Sequence, residues 1–158
     1  MAEVKDVAPT VLNTVQMSIK YGESAFKDGQ HLGKAQAARA PTVEFAGAAG
    51  KRHTLIMVDP DAPSPDNPAM REWLHWIVAN IPAGGDVSKG FTVTEYAGPT
   101  PPRGTHRYIF LLYEQPEGVL LPAKQHEQRA KFHSDVWAKA HQLGDPVAAC
   151  FFKTAAGE

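Results

Sequence analysis

Three short stretches of the chain carry side chains that can bind or react. They are Asp59–Pro65, Arg71–Trp76 and Arg103–Tyr108. The first holds two carboxylates two residues apart, and its prolines restrict the backbone to a fixed loop. The second holds His75 between two tryptophans. The third holds His106 and Tyr108, which share one face of a strand because they are two residues apart.

Each stretch also has a simpler structural interpretation. Asp59 and Asp61 fit a rigid turn in which aspartates accept hydrogen bonds from backbone N–H groups. His75 fits a buried histidine that is hydrogen-bonded to one neighbour. Arg103 and Arg107 fit either solvated surface charges or a basic rim. Taken singly, none of the three stretches decides between structure and function.

Taken together, the three stretches predict one small polar pocket among aromatic residues. Protonated imidazoles and a tyrosine hydroxyl donate hydrogen bonds to an anion, and proline-bounded loops supply backbone N–H groups. In such a pocket Asp59 would orient and charge a histidine rather than contact the anion. We therefore predict that this pocket binds an anion.

Enzymatic alternatives use the same residues or a nearby motif. Asp59, His75 and His106 form a two-histidine, one-carboxylate set of the kind that binds iron or zinc. The stretch His126–Ala130 begins like the zinc-protease motif His-Glu-x-x-His but ends in alanine, which excludes zinc proteolysis. No serine lies in a Gly-x-Ser-x-Gly elbow. A metal-dependent enzyme at the first set of residues is the alternative to non-enzymatic binding.

Short apolar runs between proline and glycine clusters predict a mainly β, single domain over residues 1–158. The predicted strands are Thr42–Phe45, His53–Val58, Trp73–Ile81, His106–Tyr113 and Val147–Phe152. The third of these is apolar on both alternating faces, which predicts a central strand covered on both sides. Apolar spacing predicts a helix from Gln125 to Leu143. Its core face would consist of Phe132, Val136, Ala140 and Leu143.

The composition is that of a globular domain in a reducing compartment. The 158 residues are 43% hydrophobic, and their net charge of -1 gives no broad reason to expect nucleic acid or an acidic membrane as a partner. Cys150 is the only cysteine, which excludes an intrachain disulfide and a multi-cysteine zinc site. No apolar run approaches the roughly 18 residues of a membrane span, and charged residues interrupt the N-terminus where a signal peptide is apolar. We therefore expect a monomer that is located in the cytoplasm, or in both the cytoplasm and the nucleus.

The same stretches carry a resemblance to a known family. In their order and separation, Asp59–Ser64, Arg71–Trp76 and Gly104–Tyr108 resemble the motifs of the phosphatidylethanolamine-binding protein family, also known through Raf kinase inhibitor protein. The resemblance extends from Ile19–Gly22 to Pro146–Ala149. It implies a β-sandwich with peripheral helices and a small, non-catalytic anion-binding cavity that opens at the surface and holds no metal or cofactor.

The resemblance also implies which residues line this cavity. Carried over one by one, they are Asp59, Asp61, Trp73, His75, Gly98, Pro101, His106 and Tyr108. Family members have cis peptide bonds at the positions that match Ala62-Pro63 and Arg71-Glu72. The implied ligand is a phosphate-bearing small molecule or a phospholipid headgroup. The implied output is modulation of a kinase or a transcription-regulatory complex.

Within the family, residues 64–68 and 74–78 resemble the plant branch of florigen, terminal-flower and mother-of-both regulators. Florigens resemble one another at a surface that binds 14-3-3 proteins. This chain keeps the proline of that surface as Pro82, but Lys89 falls near its phenylalanine position and Pro116–Gly118 falls at an arginine position. Such changes each weaken an interface by about 1–3 kcal/mol. We therefore expect no florigen-type 14-3-3 complex, and a 14-3-3-binding scaffold is a further alternative.

Overall fold

Two β-sheets and one peripheral helix make up the fold. The computed structural model describes residues 2–157, which form nine strands, one α-helix and two 3-10 turns. The strands are β1 (Met17–Tyr21), β2 (Ser24–Ala25), β3 (Gln30–His31), β4 (Thr42–Phe45), β5 (His53–Asp59), β6 (Trp73–Ile81), β7 (Phe91–Thr94), β8 (Thr105–Glu114) and β9 (Ala148–Ala155). The helix α1 spans Ser134–Ala140, and the 3-10 turns span Ala2–Val4 and Val87–Lys89.

The sheets form the predicted β-sandwich. The small sheet has the strand order β2-β1-β4, and the large sheet has the order β3-β9-β8-β5-β6-β7. Only the pairing of β3 with β9 is parallel among the strand pairs described. The long strands β5, β6 and β8 are rich in branched and aromatic residues, which suit a pleated surface buried on both faces.

Each face of the large sheet has its own hydrophobic core. The inter-sheet core joins Ile19 and Phe45 of the small sheet to Leu55 and Phe110 of the large one. The outer core, on the opposite face, is covered by the N-terminal segment, by α1 and by the segment before α1. The large sheet is therefore the middle layer of the molecule.

All five predicted strands are present. Two of them, Thr42–Phe45 and Trp73–Ile81, have the predicted bounds, and two others extend one residue further at one or both ends. The last predicted strand begins one residue later than predicted and ends three residues later. The four strands that the sequence pattern missed are β1, β2, β3 and β7. These strands are short, and three of them have no buried residue or only one, so they lack the apolar runs that predict a strand.

A β-bulge in β6 changes which core its side chains join. Met57 of β5 pairs with Trp76, whereas the next residue, Val58, pairs with Leu74, so His75 is the extra residue on β6. Leu74 therefore lies in the outer core and Trp76 in the inter-sheet core, although strict alternation predicts a shared face. The strand is buried on both faces, as predicted, but it lies next to the edge strand β7 rather than at the centre of the sheet.

The predicted helix from Gln125 to Leu143 is wrong for most of its length, because α1 spans only Ser134–Ala140. Backbone groups of the preceding segment bond to the large sheet instead of to a helical turn. The His126 N–H donates to the Val93 carbonyl, and the Leu74 N–H donates to the Arg129 carbonyl, both over 2.9 Å. No helix within residues 2–157 has the length and apolarity of a membrane-crossing segment.

The predicted core face of this helix is also partly wrong. Val136 and Ala140 are exposed, the former by 61%, and the buried residues of α1 are Ser134 and Ala138. Phe132 and Leu143 are buried as predicted, but they lie before and after the helix. The periodicity of apolar residues was therefore not the periodicity of a single helix.

Candidate functional site

A cavity of about 200 Å³ opens where the C-terminal end of β5 meets the first residues of β6 and β8. Its lining residues are Asp59, Ala62, Pro63, Met70, Trp73, His75, Thr100, Pro102, His106 and Tyr108. The polar members include four ionisable groups that are each at most 3% exposed. The apolar members come mainly from the loops after β5 and before β8 and include the partly exposed Met70 and Trp73.

Asp59 and His106 form a buried pair in this cavity. The His106 Nδ1 atom lies 2.6 Å from Asp59 Oδ2, and the His106 Nε2 atom lies 2.8 Å from the Arg103 carbonyl. A carbonyl only accepts hydrogen bonds, so Nε2 carries a proton. The other Asp59 oxygen accepts the Asp61 N–H over 2.7 Å.

This pairing sets the charge of His106. Burial lowers the pKa of an imidazole, but the hydrogen bond and the negative charge of Asp59 outweigh burial and raise the pKa of His106 above its usual value. An imidazolium beside a carboxylate is the arrangement that satisfies both ring nitrogens. The pair contributes no net charge to the cavity, and neither N–H of His106 remains free for a ligand.

His75 is held by the bulge in β6. Its backbone carbonyl accepts the Ala97 N–H over 2.9 Å, and its Nδ1 atom donates to the Ala97 carbonyl over 2.6 Å. Burial lowers the pKa of His75, so the ring is neutral at pH 7 and Nε2 carries a lone pair. No hydrogen bond to His75 Nε2 is present in the described part of the chain, which leaves this atom as an acceptor at the cavity.

Tyr108 supplies a hydroxyl with no partner. The residue is fully buried, and its hydroxyl lies near the Asp59 carboxylate without reaching hydrogen-bond geometry to that or any other described residue. Burial, and then the nearby charge of Asp59, raise the pKa of Tyr108, so the phenol stays protonated. Its ring stands edge-on to His75 at 5.2 Å and stacks on Phe152 at 5.2 Å. The cavity thus has one fixed, unused O–H donor.

Asp61 faces away from the cavity lining and binds Arg107. Its carboxylate accepts three hydrogen bonds from Arg107, from the backbone N–H, from Nε and from a terminal nitrogen, at 2.8–3.0 Å. Burial opposes ionisation, but these bonds lower the pKa of Asp61 below its usual value. The same guanidinium donates to the Glu3 carbonyl and to Asp6 over 2.6 and 2.9 Å, which ties the N-terminal segment to β8.

The ionisable side chains of the cavity are not arranged as a set of metal ligands. Among residues 2–157, no three His, Cys, Asp or Glu side chains are placed to ligate one. The reason is visible at Asp59 and His106, whose facing atoms bond to each other, and at His106 Nε2, which bonds to a carbonyl. The set of Asp59, His75 and His106 therefore does not form the two-histidine, one-carboxylate centre that the sequence left open.

The sequence was compared with known protein families. The family model described as "Phosphatidylethanolamine-binding protein" matches residues 22–152. The chain belongs to the phosphatidylethanolamine-binding protein family. The match covers the proline-rich loops 59–65 and 98–104 and all the strands that line the cavity.

Relatives of this chain within the phosphatidylethanolamine-binding proteins include plant proteins. The protein MOTHER of FT and TFL1 homolog 2 of Oryza sativa subsp. japonica is 41% identical, over 96% of this chain and 87% of the relative. The protein FLOWERING LOCUS T of Arabidopsis thaliana is 36% identical, over 94% of this chain and 85% of the relative. Among solved structures, the carboxypeptidase Y inhibitor, complexed with its cognate proteinase, has a TM-score of 0.83 at 27% identity, covering 98% of this chain and 90% of that one.

The structure brings five of the eight predicted site residues to the cavity lining. These five are Asp59, Trp73, His75, His106 and Tyr108. Asp61, Gly98 and Pro101 do not line it. Asp61 positions Arg107, and Gly98 packs so closely on the segment Ala37–Ala38 that a side chain would meet its backbone at 2.9 Å. Pro101 is buried in the loop between two lining residues.

Sequence reasoning missed five lining residues. They are Ala62, Pro63, Met70, Thr100 and Pro102. Ala62 and Pro63 lie inside the restricted loop Asp59–Pro65, and Thr100 and Pro102 flank the predicted Pro101, so proximity to the predicted residues was the available signal. Met70 had no such signal, because only the fold of the loop after β5 brings it to the opening. The bonds Ala62-Pro63 and Arg71-Glu72 are both cis, as the resemblance implied.

Proposed function

We propose that the chain is a non-catalytic binding protein whose cavity takes a phosphate group, carried by a small molecule or a phospholipid headgroup. The observation that supports this most directly is the buried Tyr108 hydroxyl without a partner. A buried polar group that makes no hydrogen bond destabilises a fold, and such groups in native structures require an explanation. A ligand oxygen that accepts from this hydroxyl supplies one.

The pairing of donor and acceptor suits phosphate. Tyr108 donates to a phosphoryl oxygen, and His75 Nε2 accepts from a protonated phosphate oxygen or donates once the ring is protonated. A phosphate monoester has a second pKa near 6, so its monoanion is present at neutral pH. At about 200 Å³, the cavity is smaller than the roughly 300–1,000 Å³ of a drug-sized site, which favours a headgroup over an acyl chain.

The same geometry gives little support to catalysis. Both nitrogens of His106 are engaged, so this ring has no free lone pair with which to act as a general base. His75 has a free lone pair, but this atom makes no hydrogen bond to Thr100 or Tyr108, the lining residues that carry a hydroxyl group, so neither is activated as a nucleophile. The site therefore suits ligand binding rather than turnover.

We further propose that the bound ligand changes how the chain acts on a kinase or transcription-regulatory complex, as a regulator of the kind that its plant relatives' names indicate. A florigen-type 14-3-3 complex is not part of this proposal, because Lys89 is exposed where that surface has an aromatic residue. Retention of a 14-3-3 protein by the immobilised wild-type chain would contradict this last point.

The cavity proposal is tested by NMR of the histidine rings during titration with inorganic phosphate, phosphoethanolamine and phosphoserine. We expect the His75 ring signals to shift in a saturable way with each probe. We expect little change at His106, which Asp59 holds already. Ethanolamine, which lacks the phosphate, is the matched control and should leave His75 unchanged.

The titration contradicts the proposal if His75 stays unchanged with every phosphate probe. Shifts that fall only on residues outside the cavity would also contradict the proposal. Comparison of the three probes separates a preference for the free anion from a preference for the headgroup or for the phosphorylated side chain.

A further inference from the structure

A second concave surface lies on the outer face of the molecule, next to α1. It consists of two clefts of about 300 and 330 Å³ that share His126 and Trp137, and we call the two together the α1 groove. None of its lining residues lines the phosphate cavity. The groove is thus a separate site, independent of the proposed phosphate cavity.

The floor of the α1 groove is aromatic. The ring of His141 stacks on Trp137 at 3.9 Å, Trp137 lies 6.3 Å from Phe132, and Phe132 lies 5.4 Å from His126. Val136 adds an aliphatic side chain that is 61% exposed. A continuous row of rings beside an exposed aliphatic residue is the kind of surface that accepts an apolar side chain of a partner.

The charge of the α1 groove is of one sign. Lys124 lies in one cleft and Lys131 in the other, and among the described residues neither lining includes an aspartate or glutamate. Between residues 124 and 141 the sequence has four lysines or arginines and three histidines against two acidic residues, whereas the whole chain has a net charge of -1. The two acidic residues, Glu127 and Asp135, are exposed outside the lining.

Both walls of the groove are anchored from within. On one side, Asn80 accepts the Leu121 N–H and donates to the Leu121 carbonyl, while the fully buried Gln115 bonds to Asn80 and to the Val119 carbonyl, all over 2.8–3.0 Å. On the other side, the buried Glu72 accepts from the Ser134 N–H and hydroxyl and so caps the first turn of α1. The shape of the groove is therefore formed before any partner arrives.

We propose that the α1 groove docks an acidic, extended segment of a partner protein, with apolar side chains that enter the two clefts on either side of the shared residues His126 and Trp137. The cationic rim supplies complementarity to aspartates or glutamates in that segment. Two walled clefts separated by a ridge suit alternating side chains of an extended peptide better than the flat surface of a membrane. The occupant to which we commit is therefore a peptide segment.

The test uses a fluorescent synthetic peptide of glutamates with a leucine and a tryptophan at alternate positions, and a matched peptide with lysines in place of the glutamates. We expect the acidic peptide to bind in anisotropy measurements, to shift the NMR signals of His126, Trp137 and His141, and to lose affinity between roughly 0.05 and 0.5 M salt. The lysine peptide should not bind. The His75 signals should not move.

Charge reversal at the rim supplies the matched variants. Lys124→Glu should weaken binding of the acidic peptide by about three- to tenfold. Lys27→Glu makes the same charge change at an exposed residue in a different cleft and should leave the affinity unchanged. Both side chains are exposed, so both variants should keep the wild-type NMR fold pattern.

Several results would overturn the proposal. They are equal loss of affinity in the two variants, no binding up to millimolar peptide, and peptide shifts at the phosphate cavity instead of the groove. Binding of anionic phosphatidylserine vesicles or single-stranded RNA, weakened by Lys124→Glu when the acidic peptide does not bind, would assign the groove to a different class of partner. Each of these results leaves the phosphate proposal standing, because that one is read at His75.

Discussion

Tyr108 illustrates how a single residue can serve function at the expense of stability. Its hydroxyl is buried at the cavity without a hydrogen bond, and both Asp59 oxygens already accept from other groups. A phenylalanine ring would make the same contacts with His75 and Phe152 without the desolvated hydroxyl. The hydroxyl thus has a structural cost that only a ligand offsets.

We therefore predict opposite effects of Tyr108→Phe on stability and binding. The free energy of unfolding should stay the same or rise by about 1 kcal/mol, because an unsatisfied polar group is removed. The affinity for phosphate should fall by about tenfold, the value of one charge-assisted hydrogen bond. Urea unfolding and the His75 titration measure the two quantities, and a variant that is clearly less stable would show that the hydroxyl has a structural partner.

At the scale of residues, the sequence predicted which side chains line the cavity better than it predicted their protonation states. The contact between Asp59 and a histidine is present as expected, and it falls on His106. The sequence analysis also expected protonated imidazoles that donate to an anion. The structure differs, because His106 has no free N–H and burial lowers the pKa of His75. Hydrogen bonds to the backbone carbonyls of Arg103 and Ala97 fix which ring nitrogens are engaged. No pattern of side chains in the sequence predicts these bonds.

At the scale of elements, the N-terminal segment is held by one side chain of β8. Arg107 joins Asp61 of the proline-rich loop to Glu3 and Asp6, while Val4 and Val7 of the segment lie in the outer core. The loop, the strand and the segment therefore meet at this guanidinium, and Arg71 adds longer ion pairs to Asp6 and Asp61 at 3.6 and 3.8 Å. The exposed pair Lys20–Glu44 in the small sheet has no such role.

We predict that Arg107→Met lowers the free energy of unfolding by roughly 2–4 kcal/mol, because Asp61 is left buried without its main partner. Amide exchange in residues 4–8 should become faster. Lys20→Met, which breaks an exposed pair, should cost less than about 1 kcal/mol. The double variant Asp61→Asn, Arg107→Met should recover part of the loss, and equal losses in Arg107→Met and Lys20→Met would contradict the role of the clamp.

The elements also show why some of the fold escaped prediction. Long apolar runs such as β5 and β6 were recognised because burial on both faces demands them. The segment before α1 has the apolar spacing of a helix, yet the Arg129 guanidinium donates to the Leu74 and Glu95 carbonyls and holds it against the sheet. Contacts between residues far apart in sequence, such as these, override local propensity.

At the scale of the whole molecule, buried ionisable groups make the free energy of unfolding depend on pH in two opposing ways. Burial raises the pKa of Glu72 to about 7, so the stabilisation from its protonated form is complete below about pH 4.5 and is lost as the pH rises through 7. Burial lowers the pKa of His53 and of His75, so their contribution is present above about pH 6.5 and is lost on acidification. His53 has no hydrogen-bond partner among the described residues for either ring nitrogen.

We predict that Glu72→Gln removes the part of this dependence that runs between about pH 4.5 and 7. The glutamine oxygen still accepts from Ser134, but it does not ionise. Relative to wild type, the variant should gain on the order of 3 kcal/mol in free energy of unfolding between pH 4.5 and 8. Thermal or urea unfolding at several pH values measures this, with Glu23→Gln at an exposed position as the control. Parallel profiles for wild type and Glu72→Gln would contradict it.

The two anchors of the α1 groove respond differently to pH and salt. Asn80 and Gln115 are neutral amides, so acid and salt leave their network unchanged, whereas the cap on α1 is a carboxyl group that titrates near neutrality. A drop in pH would thus alter the wall of the groove at α1 and leave the wall at Leu121 unchanged. The affinity of a partner that contacts both walls would therefore change with pH. The affinity of a partner that contacts only the wall anchored by Asn80 and Gln115 would not.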